Sequence, residues 1–154
     1  MREHKAALDT FPYGVYICTC KAGEKANGLT LGWVQQVSSN PTLVAITVYK
    51  KWYSHKLLSE GDYFIVHVLD EEQVELGKHF GTIHGWDTDK FEGIEWKPGV
   101  DGIPVIQGCR AVLECKKVKQ VPAGDHTLFI GEVISSKVDE TKKEQILDRK
   151  VYFG

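Results

Sequence analysis

Between Asn27 and His55 the chain reads NGLTLGWVQQVSSNPTLVAITVYKKWYSH, and three clusters within it carry groups suited to holding a planar ring with an anionic tail. The first is Thr30-Leu31-Gly32-Trp33. On a strand, Thr30 and Gly32 share one face while Leu31 and Trp33 share the other. Short side chains leave backbone amides open to close approach by a flat ring. The same residues also suit an ordinary strand with a glycine kink. The second cluster is Ser38-Ser39, ahead of Asn40-Pro41. Its hydroxyls either meet the polar edge of such a ring or simply make a turn. The third is Lys50, Lys51 and Ser54, at the exit of an apolar run and the entry to a helix. Two ammonium groups beside helix N-terminal amides favour a phosphate dianion. The alternative is a solvated basic loop whose serine caps the helix.

A fourth candidate lies far along the chain, in AGDHTLFIGEV at 123–133. Gly124-Asp125 makes a turn, and His126 opens the strand that follows. A histidine there offers one ring nitrogen to a substrate while Asp125 or a backbone group fixes its tautomer; a purely structural histidine fits the position as well. The other five histidines are scattered with no carboxylate at ligand spacing, so no metal is expected. No nucleophile elbow, Walker loop or GxGxxG pattern is present. A dinucleotide, if used, must bind without a dinucleotide-binding fold. Cys18, Cys20, Cys109 and Cys115 form no CxxC pair, and buried reduced thiols are expected.

These groups must be positioned by strands. Tyr13 to Cys20, Leu29 to Val37, Thr42 to Tyr49, Tyr63 to Leu69, Gly108 to Val118 and Leu128 to Ile134 read as about six, with Asn27-Gly28 expected as a turn. Short helices are expected over Tyr53 to Ser59, stopping at Gly61, and over Glu71 to Phe80, with Val74 and Phe80 facing the core. Many strands with few helices predict a β-barrel with helical crossovers.

At 154 residues the chain is expected to be one domain, 1–154. Nineteen basic against 21 acidic residues leave a formal charge of -2, which recruits neither nucleic acid nor an anionic membrane. No apolar run is long enough to span a bilayer. The N-terminal MREHKAALDTF lacks an apolar signal core, so the expected location is cytoplasmic.

Taken in order, NGLTLGWV, QVSSNP, VYKKWYSH, HFG with DKFEG at 79–93, GIPVIQGCRAVLEC at 102–115 and AGDHTLFIGEV resemble the flavin reductase-like family over roughly residues 10–137. The resemblance implies a mainly β fold, an FMN-binding split β-barrel with short crossover helices, working as a homodimer with flavin near the subunit boundary. It implies that Thr30, Leu31, Gly32 and Trp33 line the flavin, with Ser38 and Ser39 at its ring edge. Lys50, Lys51 and Ser54 would serve the phosphate, Phe80 and Gly81 would be pocket residues, and His126 would sit near the nicotinamide or the ring face. The implied reaction takes hydride from NAD(P)H onto FMN and passes electrons to an acceptor or a partner monooxygenase. Two other readings stand beside it: an FMN electron carrier of the flavoredoxin kind fed by a redox protein, and a barrel without flavin. Two departures are visible. Family members often read Thr-x-Ser-Trp where this chain has Gly32, and Ser-Gly-Arg where it has His84-Gly85-Trp86.

Overall fold

The computed structural model describes residues 3–82 and 89–154; the His84-Gly85-Trp86 departure lies outside them. Among the described residues there are nine strands: β1 (Tyr16–Ala22), β2 (Lys25–Leu31), β3 (Val34–Ser39), β4 (Thr42–Tyr49), β5 (Tyr63–Val68), β6 (Trp96–Pro98), β7 (Pro104–Ile106), β8 (Ala111–Ala123) and β9 (His126–Val138). The helices are α1 (Lys5–Leu8), α2 (Tyr53–Glu60), α3 (Val74–Thr82) and α4 (Arg149–Phe153). Seven strands make one antiparallel sheet in the order β2-β1-β5-β8-β9-β4-β3, and β6 pairs with β7.

The expected strand from Leu29 to Val37 is two strands, broken at Gly32-Trp33. This break organises the fold. β2 and β3 are opposite edges of the sheet, yet only three Cα steps, about 11 Å at most, join Leu31 to Val34. The two edges must therefore approach one another at this corner, and the sheet rolls up. Cys18, Leu29, Ile46, Phe64 and Phe129, contributed by β1, β2, β4, β5 and β9, accordingly share one core cluster. The mainly β expectation holds. No hydrogen-bonded ladder joins β2 to β3, so the barrel is not closed by backbone pairing.

Asn27-Gly28 is not a turn. Both residues lie inside β2, opposite Cys20 and Thr19, and the hairpin turns instead at Gly23, whose φ of 59° suits glycine. Gly28 has a packing reason to be small, because a Cβ there would stand 2.8 Å from the Phe80 ring.

α2 ends at Gly61, where any side chain would strike the Lys21 carbonyl. Lys117 Nζ donates to the carbonyls of Leu58 and Ser59 at 2.7 and 3.0 Å, placing a cation at the helix C-terminus. α3 begins at Val74 rather than Glu71. The turn before it is held by Asp70, whose amide donates to Gln73 Oε1 and whose carboxylate accepts from Glu72 N. On the outer face of β1, Ile17, Val15, Leu69, Phe80 and Phe91 form a second cluster. Val74 is only partly covered. All four cysteines are buried and free.

Candidate functional site

A cleft of about 420 Å³ opens at the Gly32-Trp33 corner. One wall is the end of β2, with Thr30, Leu31 and Gly32. The facing wall is α3, through Gly77 and Gly81. Trp33, Trp52 and His126 stand at one side, and Leu147, Tyr152 and Phe153 from the C-terminal segment close another. Of the sequence-derived candidates, Thr30, Leu31, Gly32, Trp33, Gly81 and His126 meet in this one cleft.

Local chemistry explains the arrangement. Thr30 Oγ1 donates to the Gly77 carbonyl at 2.5 Å, pinning α3 to β2 and occupying the hydroxyl. A Cβ on Gly81 would lie 3.5 Å from Thr30 Cβ, so the glycine keeps this wall flat. Trp33 is 48% exposed, with its ring 4.7 Å from the His126 ring and tilted by 37°. Asp125 Oδ1 accepts from His126 Nδ1 at 2.6 Å, which leaves Nε2 as the imidazole's other functional nitrogen. That hydrogen bond is the main reason the exposed Asp125 carboxyl is held below its ordinary range. Tyr49 packs 5.4 Å from His126 and 5.8 Å from Trp52, which continues the aromatic rim.

The remaining candidates lie elsewhere. Lys50 Nζ donates to the Gly124 carbonyl at 2.7 Å, and its amide donates to Asp125 O, tying this loop to the turn that carries His126. Lys51 is exposed and adjoins Trp52 in sequence, and neither lysine is among the residues that line the cleft. Ser54 departs from the expectation of an exposed phosphate ligand. It is 2% exposed, and its Oγ accepts from Asn27 Nδ2 at 2.8 Å. The Asn27 amide draws the hydroxyl inward, and no side chain caps α2. Phe80 is a core pillar 5.4 Å from Phe91, not a cleft residue. Ser38 and Ser39 sit at the far end of β3, five or more residues from the corner, roughly 16 Å along the strand. They do not line the cleft.

Sequence reasoning missed Trp52, Gly77 and the C-terminal wall. Gly77 carried a signal, since a glycine inside a helix costs stability unless something needs the space. Here Tyr152 packs directly on it, and a Cβ would collide with the Tyr152 hydroxyl. That hydroxyl donates to Gln145 Oε1 at 2.5 Å, and Gln145 Nε2 donates to the Asp70 carbonyl. α4 is further tied by Arg149, which lies over the Tyr13 ring and 3.6 Å from Asp9.

The fit to a flavin follows from these contacts. The glycines Gly32 and Gly81 give a flat approach and aromatic rings border it, while Lys50 and Lys51 lie outside the lining, next to Trp52 in sequence. The lining is mainly apolar and suits a flat ring, and among the described residues Lys78 is the lysine within it. Lys50, Lys51, Gly32, Trp33 and Gly81 would hold such a group.

Comparison with known proteins agrees with that chemistry. Residues 8–153 match the family model described as a flavin reductase like domain. The high molecular weight rubredoxin of Moorella thermoacetica is 36% identical over 134 residues, 86% of this chain, and the chain spans 58% of that protein's length. The FMN reductase (NADH) SmoA of Agrobacterium fabrum is 35% identical over 133 residues, covering 86% of this chain and 74% of SmoA. Among solved structures, the NADH:FAD oxidoreductase SgcE6 of Streptomyces globisporus superposes with a TM-score of 0.88 at 31% identity, over 96% of this chain and 90% of SgcE6. Sequence, fold and cleft converge: the chain belongs to the flavin reductase-like family.

Proposed function

We propose that this protein is an NAD(P)H-dependent FMN reductase, a single cytoplasmic domain that passes its electrons to an acceptor or a partner monooxygenase. The observation that carries this reading is the joining of Gly32, Trp33, Gly81 and His126 in one cleft, with the loop of Lys50 and Lys51 tied to the turn before His126. FMN, when bound, supplies the electron chemistry. The chain supplies binding, orientation and charge. The Lys50-Lys51 loop attracts the phosphate, and the open backbone around Gly32 accepts the ring. His126 presents Nε2 toward a second ring in the cleft, its tautomer held by Asp125 and its plane limited by Trp33 and Tyr49. Leu147 and Phe153 offer that second ring apolar contact.

A homodimer is part of this reading. Phe11, Trp33 and Val37 are exposed and border a hollow next to the cleft, and a second copy covering them would exclude water from the flavin edge.

An electron-carrier reading has its own support in the kinship with a rubredoxin longer than this chain. One experiment separates the two. Under anaerobic conditions, the FMN-loaded protein is mixed with NADH and then NADPH, and the visible flavin band is followed. Bleaching by either nucleotide, faster than for free FMN, supports the reductase. A flavin that stays oxidised with both, and bleaches with reduced rubredoxin, supports the carrier instead.

A further inference from the structure

Lys90 is 6% exposed, which is rare for a lysine. Its Nζ donates to two neutral acceptors, the carbonyls of Gly28 at 2.8 Å and Phe80 at 3.2 Å. Among the described residues no carboxylate stands within ion-pair distance of it. A buried cation without a counter-charge is costly. Its position suggests what the charge does. Gly28 precedes Thr30 by two residues on β2, and Phe80 immediately precedes Gly81 on α3. Thr30 and Gly81 are the two residues that meet across the cleft wall. The ammonium is therefore clamped directly behind that wall, about 10 Å from a ring lying against it, given the rise of two strand residues plus van der Waals contact.

We propose that Lys90 is an electrostatic element of the site, a fixed positive charge that stabilises the reduced flavin and raises its reduction potential. This rests on the FMN reductase reading. Hydride transfer adds two electrons and one proton, so the nicotinamide leaves oxidised and the ring retains one negative charge. Lys90 acts on that charge through space and transfers nothing itself. At about 10 Å and an effective dielectric near 20, the attraction favours the reduced over the oxidised flavin roughly tenfold.

The same geometry predicts a pH signature. Burial lowers the Lys90 pKa to about 8. Among the described residues, the other ionisable groups around Lys90 are Cys20 on β1, His79 on α3, whose Nε2 donates to the Lys90 carbonyl, and Asp89 and Glu92 on its own segment. β2 contributes only the Gly28 carbonyl. Cys20 is pushed up to about 12, mainly by burial, and stays neutral in this range. Between about pH 8 and 9, Lys90 is deprotonated beside oxidised flavin and regains its proton on reduction, because a tenfold preference raises its pKa by about one unit in the reduced state. Reduction then takes up a second proton, and the potential falls more steeply with pH.

The test is a reduction potential measured by dye equilibration on the FMN-loaded protein at several pH values between about 7.5 and 9.5, where the reduced ring is anionic. Wild type is expected to steepen between about pH 8 and 9 and to return to its first slope above that. Lys90→Met is expected to show a single slope and a lower potential, a tenfold loss of preference for reduced FMN, about 30 mV for a two-electron couple. Lys90→Arg should restore the potential without the break, because its charge does not titrate. A purely structural lysine would move thermal stability in both variants and leave the potential alone. A single slope in wild type overturns the proposal even if Lys90→Met fails to fold. Equal potentials in Lys90→Met and wild type overturn it too. A protein that binds no FMN overturns the function and this inference together.

Discussion

His67 offers a quantitative test of the packing. It lies on β5 with no exposed surface, between β1 and β7. Ile106 N–H donates to Nε2 at 2.9 Å, so Nδ1 carries the hydrogen that goes to the Ile17 carbonyl, also at 2.9 Å. Both ring nitrogens are satisfied only in the neutral form; a second proton on Nε2 would face the Ile106 N–H. Burial lowers its pKa from 6.5 to about 4, with the Ile17 hydrogen bond opposing. The sign of the linkage follows. Above pH 6.5 the histidine is neutral in both states and its contribution is complete. As pH falls below 6.5, the unfolded chain binds a proton that the folded chain refuses, so stability is lost until pH reaches about 4. The span of about 2.5 units at 1.36 kcal/mol each gives about 3 kcal/mol. Urea unfolding at pH 7.5, 6.5, 5.5 and 4.5 measures it. His67→Gln can accept from Ile106 N and donate to Ile17 O without titrating, so the difference between the two proteins isolates this site from the surface carboxylates. Wild type should lose about 2 to 3 kcal/mol more than His67→Gln between pH 7 and 4.5. Parallel pH profiles would refute the argument.

Other outcomes follow from the same contacts. Ser54→Ala should cost about 1–3 kcal/mol in urea unfolding, by leaving the Asn27 amide unsatisfied in the core, while FMN affinity changes less than about twofold. Lys50→Ala with Lys51→Ala should weaken FMN binding about tenfold or more, read by quenching of flavin fluorescence, with riboflavin affinity little changed because it lacks the phosphate. Gly77→Ala should lower stability by about 1–2 kcal/mol despite alanine's better helix propensity, because the methyl displaces Tyr152. Pairing it with Tyr152→Ala should recover the propensity gain, and a double variant no more stable than Tyr152→Ala alone would count against that account.

The parts of this fold visible in the sequence are those where local pattern and burial agree. TLVAITVY and YFIVHVL are β-rich apolar runs, and both are buried strands of the sheet. Asn27-Gly28 misleads because the strongest short-range turn signal is overridden from a distance: Ser54 takes the asparagine amide and Phe80 takes the space above the glycine. The glycine at 32 is conspicuous, but nothing local says that it joins opposite edges of one sheet. The hydroxyl of Ser54 illustrates the same limit, since residue type at a helix start suggests a cap or an anion ligand and only the fold turns it inward. α4 is five residues long, too short for periodicity to reveal, and Tyr152 reaches Gly77 across 75 positions of sequence. The cleft residues that were legible are those whose small size or imidazole is itself the function. Those that were not are walls brought in by tertiary contact.

The central claim is that the Gly32-Trp33 corner seats FMN, and a crystal structure of the protein grown with FMN tests it most directly. The ring should lie between the backbone at Gly32 and the α3 wall at Gly81, with Trp33 and His126 at its border and the phosphate beside Lys50 and Lys51. A flavin seated elsewhere, or a phosphate directed away from that loop, would contradict the account.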